Sequence, residues 1–244
     1  MKKFAKTLLA AVCFVAGAAP AAAGVLYVTD GDSSRLAIVN TATQAVTVTP
    51  TLPGQYPIAV SSSVWVGNYY GSNSSQYNLD GSPTGVTAPA ADVNAVDGTT
   101  NGVYNFELGN AFTNSATVYR ANLDWTNPVA LFNVQHGSDL VGITYDTLSG
   151  NLWVSNNTTL FQYTLAGGLI SQFNHAGGRG SLAYDTADGT LWYVSNGSNA
   201  IRQYSTSGSL LQTLNIPGLA SNNWGAEFAI GATPGAVPSR ELGQ

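Results

Sequence analysis

The chain has 244 residues, with 8 cations, 13 carboxylates, 27 glycines and a single cysteine. The only lysines (Lys2, Lys3 and Lys6) and Cys13 all lie before Gly24, so the rest sets five arginines against all 13 carboxylates, a net charge of −8. Such a lysine-free acidic surface repels nucleic acid and anionic lipid, and no disulfide is left to hold the fold together.

The first segment, "MKKFAKTLLAAVCFVAGAAPAAAG", has a basic start, an apolar run from Leu8 to Ala19 and a small-residue end. That pattern predicts a secretory signal peptide cut between Ala23 and Gly24. The apolar run falls short of the roughly 20 residues needed to span a bilayer. A secreted or periplasmic chain without a membrane span is therefore expected, with 24–231 as one domain and 232–244 as a flexible tail.

From Gly24 onward short alternating apolar runs are broken by Gly, Asn, Asp and Ser, and no stretch keeps a helical period. "GVLYVTDGDSSRLAIVNTATQAVTV" supplies three strands. "VWVGNYYGSNSSQYNLDGS" follows in a second group spanning about 55–88, and a third, about 92–134, holds the divergent "VYNFELGNAFTNSATVYRANLDW". The fourth and fifth groups, at about 139–174 and 180–216, are near copies. Tyr145, Asp146, Gly150, Leu152 and Trp153 recur at the same mutual spacing as Tyr184, Asp185, Gly189, Leu191 and Trp192.

A period near 40 with four short strands per unit is the mark of a β-propeller blade. The inner strand reads "GITYD" or "SLAYD", followed by "NLWVS" or "TLWYVS", then "TLFQYTL" or "AIRQYST", and finally "LISQF" or "LLQTL". The first group lacks an inner strand, and "GAEFAIG" near the other end is an inner strand without companions. Pairing the two predicts an all-β ring of five four-stranded blades. Six blades are the alternative if the third, with its longer loop between second and third strands, hides another short sheet. Ring closure is expected to remove exposed strand edges.

The "YDxxxGxLWV" segments resemble the YncE-like and SMP-30/NHL-type propeller repeats, a likeness that implies the fold and no particular activity. "GAEFAIGATPGAVP" resembles the lead-in to a PEP-CTERM sorting signal, without that family's membrane helix and Arg cluster.

In a propeller the loops between second and third strands, and those joining one blade to the next, open on one face around the channel. His136 and His175 fall at equivalent positions there, one repeat apart, where two imidazoles could bind zinc or calcium, or polarise a substrate. Asp139, Arg179, Trp224 and Glu227 are expected on the same face, with Asp30, Asp32, Tyr69 and Tyr70. Asp146 and Asp185 are instead read as turn formers on the opposite face.

No nucleophile, zinc-protease or phosphate-loop motif is present. SMP-30-type lactonases use a Glu, Asn and Asp metal set; Glu227 is the one inner-strand glutamate, and its partners do not align. The expectation is an exported, non-catalytic binder of envelope or extracellular polysaccharide or protein. The alternative is a metal-dependent lactonase or hydrolase using His136, His175 and Glu227.

Overall fold

A computed structural model of the chain describes residues 24–90, 93–113, 115–134, 136 and 139–230. The expected signal peptide at 1–23 and the tail at 232–244, with most of its sorting-signal-like stretch, lie outside them.

Twenty strands form five antiparallel sheets of four. Blade one takes β1 (Val25–Asp30), β2 (Arg35–Asn40) and β3 (Val46–Pro50). Blade two is β4 (Gln55–Val60), β5 (Val64–Asn68), β6 (Asn73–Tyr77) and β7 (Pro83–Pro89). Blade three is β8 (Gly98–Thr100), β9 (Asn105–Gly109), β10 (Ala116–Ala121) and β11 (Val129–Val134). Blade four runs through β12 (Gly142–Asp146), β13 (Asn151–Ser155), β14 (Thr159–Tyr163) and β15 (Leu169–Asn174). Blade five comprises β16 (Gly180–Asp185), β17 (Thr190–Ser195), β18 (Ala200–Ser205) and β19 (Leu210–Asn215).

The last strand, β20 (Gly225–Phe228), completes blade one by pairing with β1, Leu26 opposite Phe228 and Thr29 opposite Gly225. The ring is a five-bladed propeller. Blade three supplies no sixth sheet among the described residues; its extra length goes into the connections from β9 to β10 and from β10 to β11.

Each blade interface has its own apolar cluster. Val25, Tyr27 and Ile58 join blades one and two; Phe106, Leu108 and Ile143 join three and four; Trp153, Leu182 and Tyr193 join four and five. Leu26, Trp192 and Phe228 close five onto one. Full burial of side chains this size contributes about 1.5–3 kcal/mol each, and the inner strands β4, β8, β16 and β20 are buried on both faces along their whole length.

The interface of blades two and three is built differently. Trp125, from the turn between β10 and β11, packs with Ala59 and Ala121. A side chain at Gly98 would collide with its ring, which is why the inner strand begins with glycine there. Phe106 and Leu108 face blade four, so by alternation Glu107 faces blade two. It is buried, and desolvation pushes its carboxyl up to about 8.

Asp146 and Asp185 form turns as expected. Asp146 Oδ1 accepts the amides of Leu148 and Ser149, Asp185 Oδ1 that of Ala187, and Gly150 and Gly189 take positive φ.

One expectation is corrected. Ring closure leaves the outer strands β3, β7, β11, β15 and β19 as open edges, with Leu169, Ile170, Leu210 and Leu211 exposed on two of them. A register shift where β14 meets β15, repeated where β18 meets β19, bends those edges.

Candidate functional site

The inner strands all start at one face, and the channel below it is filled by two carboxyl groups. Asp97, fully buried, stands directly before β8. Its Oδ2 accepts the amides of Ile143 and Leu182, each at 2.9 Å, and its Oδ1 accepts those of Gly98 at 2.9 Å and Ala226 at 3.1 Å. One side chain thus ties together the inner strands of blades three, four, five and one. Burial pushes this carboxyl well above the usual range, while the four amides pull it back.

Glu227 lies next to Ala226, further down β20. Thr144 Oγ1 donates to it at 3.5 Å and the Phe228 amide at 3.1 Å. Burial raises its carboxyl as well, with the nearby Asp97 adding to the shift. Glu227 is therefore part of the channel filling beneath the mouth, not of the mouth itself where the sequence reading set it.

Above this plug the mouth is aromatic. A cleft of about 190 Å³ is lined by Asp32, Tyr56, Tyr69, Tyr70, Val96, Phe112 and Trp224. Asp32 lies in the β1–β2 turn, Tyr69 and Tyr70 follow β5, Phe112 sits between β9 and β10, and Trp224 precedes β20. Tyr56 comes from β4, whose pairing with β5 is interrupted between Gln55 and Ile58. Pro57, which cannot donate to the ladder, falls within that interruption.

Asp32 is the polar centre. The Tyr56 hydroxyl donates to its Oδ1 at 2.6 Å and the Trp224 indole N–H to its Oδ2 at 3.1 Å. Burial, followed by the bond to Asp32, raises the Tyr56 hydroxyl well above its ordinary value, so it remains a donor at all physiological pH. Tyr56 meets Tyr69 edge-on with ring centroids 5.5 Å apart, and Tyr69 meets Tyr70 at 4.9 Å. Phe112 meets Trp224 at 5.3 Å. These contacts hold the walls in fixed relative orientation.

The other side of the mouth is an ion pair. Arg179 bonds Asp139, which also accepts from Asn157 Nδ2 at 2.9 Å, and the guanidinium lies over the Phe112 ring at 5.3 Å. Of the residues expected on this face, Asp32, Tyr69, Tyr70, Asp139, Arg179 and Trp224 thus belong to one circuit of contacts. Asp30 stands apart: it caps its own turn through the Ser33 amide at 3.0 Å and pairs with Arg35 at 3.0 Å.

The two histidines do not share an environment. His136 Nδ1 and the Tyr163 hydroxyl lie 2.5 Å apart, while His175 sets its ring nitrogens against carbonyl oxygens, Nδ1 on Ala176 at 3.1 Å and Nε2 on Asn156 at 2.9 Å. Burial lowers the pKa of His175, with a smaller push from Arg202, against the raising effect of the two carbonyls. Among the described residues no three His, Cys, Asp or Glu side chains are grouped to hold a metal ion. The set His136, His175 and Glu227, on which the zinc or calcium expectation rests, is held by separate partners.

No protein-family model and no curated protein matches this sequence. Solved structures do match in fold. A chain of a nidogen/laminin complex aligns with a TM-score of 0.56 at 12% identity, over 84% of this chain and 98% of that one. A protein of unknown function from Bacteroides caccae gives 0.49 at 14% identity, over 79% and 73%. Virginiamycin B lyase from Staphylococcus aureus gives 0.47 at 15% identity, over 83% and 72%. At these identities the likeness is one of fold alone.

Proposed function

We propose that the protein is an exported, non-catalytic propeller that binds a saccharide of the cell envelope or extracellular matrix in the cleft at its channel mouth. The observation that carries the reading is the juxtaposition of Asp32 with the rings of Tyr56, Tyr69, Tyr70, Phe112 and Trp224. Aromatic faces match the apolar faces of pyranose rings, and a carboxylate with spare lone pairs accepts from hydroxyl groups. Tyr70, 67% exposed, is available as a platform at the rim. The channel beneath is plugged, which favours surface capture of part of a polymer over enclosure of a small substrate. Export is supported by the leader-like segment before Gly24, and among the described residues no helix is long and apolar enough to cross a membrane.

The test is isothermal titration of the chain from Gly24 onward against a panel of neutral and charged oligosaccharides, repeated with Trp224→Ala and Tyr70→Ala. Saturable binding that both variants weaken by about tenfold or more supports the reading, as expected for aromatic anchors. Binding indifferent to both changes contradicts it.

A further inference from the structure

We infer that the saccharide taken at this cleft carries free amino groups, with an ammonium seated against Asp32 between the aromatic walls; this rests on the binding role proposed above. The carboxylates of the mouth are unevenly neutralised. Asp30 is paired with Arg35 and Asp139 with Arg179. Asp32 has only neutral donors, the Tyr56 hydroxyl and the Trp224 indole, and no ion pair forms on it among the described residues. Among the described carboxylates of the mouth it is the one whose charge no basic side chain offsets.

The surroundings strengthen the preference. Ring faces carry partial negative charge and attract cations, and a carboxylate in an aromatic cleft adds to that attraction. Each carboxylate oxygen already accepts one bond and retains capacity for another, which is what an ammonium with three donors requires. An anionic sugar would be repelled by Asp32 and by the acidic chain as a whole. A bare metal ion finds too few ligands, since Asp30 is engaged with Arg35 and no three-residue donor set is present among the described residues. A lysine-bearing peptide offers the same ammonium, but docking by strand addition needs an open sheet edge beside the cleft. The cleft is rimmed by turns and connecting loops, and the open edges lie on the outer wall. Flat ring platforms beside one carboxylate suit an amino sugar better.

The probes are a β-1,4-linked glucosamine hexamer, its fully N-acetylated form, a glucose hexamer and a lysine-rich peptide, each titrated at low and at physiological salt. The glucosamine hexamer should bind about tenfold or more tightly than either neutral sugar, at both salt concentrations. Asp32→Asn, which keeps the side-chain shape, should reduce it to the level of the N-acetylated hexamer, a loss several-fold greater than the one it causes in glucose binding, where only a hydroxyl acceptor is weakened. Asp124→Asn, removing an acid from the turn between β10 and β11 on the opposite face, should change nothing.

Equal binding of the acetylated and free-amine sugars, or equal losses in Asp32→Asn and Asp124→Asn, would overturn the amino-sugar inference while leaving saccharide binding intact. Preference for the peptide would overturn it in favour of a protein partner. If no sugar binds a chain whose circular dichroism and melting show an intact ring, the broader reading fails with it.

Discussion

Replacement of Glu107 by Gln isolates one buried charge and has a calculable consequence. Glu107 faces the interface of blades two and three, where burial moves its carboxyl from 4.5 to about 8. The folded chain therefore holds a proton that the unfolded chain releases anywhere between those values. A folded-state pKa raised in this way gives stability that is fully present below about pH 4.5 and is lost as pH rises toward 8. At about 1.4 kcal/mol per unit the whole span amounts to ~5 kcal/mol. That is a large share of the roughly 5–15 kcal/mol by which domains are stable.

Glutamine has nearly the same shape and cannot ionise. Urea unfolding of both chains at intervals from pH 5 to pH 9 should show their difference growing in favour of Glu107→Gln, by up to ~1.4 kcal/mol per pH unit, and levelling off above pH 8. Asp97, Glu227 and Asp185 are shifted in the same direction, so the wild-type chain should lose stability with rising pH even more steeply. Subtracting one chain from the other removes their contribution. A pH-independent difference would refute the reasoning.

Two further outcomes concern the ring itself. Asp97→Ala strands four inner-strand amides, and should cost about 3 kcal/mol or more in urea unfolding; a loss under about 1 kcal/mol would show that the inner strands close without their shared acceptor. Asp188→Ser should return to Asp185 the hydroxyl donor that Asp146 receives from Ser149 at 2.7 Å, and so lower the Asp185 carboxyl from about 6; an unchanged carboxyl titration by NMR would count against this.

The fold was legible because neighbouring blades are written in nearly the same residues. Trp153 and Trp192, and the turns at Asp146 and Asp185, set the phase from which the loops facing the mouth could be picked out. That phase brought Tyr69, Tyr70, Asp139, Arg179 and Trp224 to one face. It could not separate the mouth from the channel just beneath, a matter of a step or two along an inner strand, and Glu227 fell on the wrong side of that line.

Tyr56 was hidden because its strand reads as an ordinary buried run, although Pro57 was a signal that the ladder breaks there. Phe112 lies in the loop where blade three departs from the repeat, so no equivalent residue pointed to it. The histidines illustrate the converse. Equal phase did not give equal surroundings, since the Tyr163 hydroxyl meets the His136 ring, whereas Tyr204, at the corresponding place, accepts from the Ala176 amide at 3.2 Å. Asp97 joins strands from four blades, and such a hub has no local sequence pattern.

Occupancy of the cleft is reported directly by the Trp224 indole N–H, which bonds Asp32 within it. In a ¹⁵N-labelled chain titrated with the oligosaccharide of highest affinity, the Trp224 indole resonance should shift progressively to saturation. The buried Trp125, Trp153 and Trp192 indoles should stay in place. Saturation with no movement of Trp224, or movement confined to the buried indoles, would contradict a binding site at the mouth.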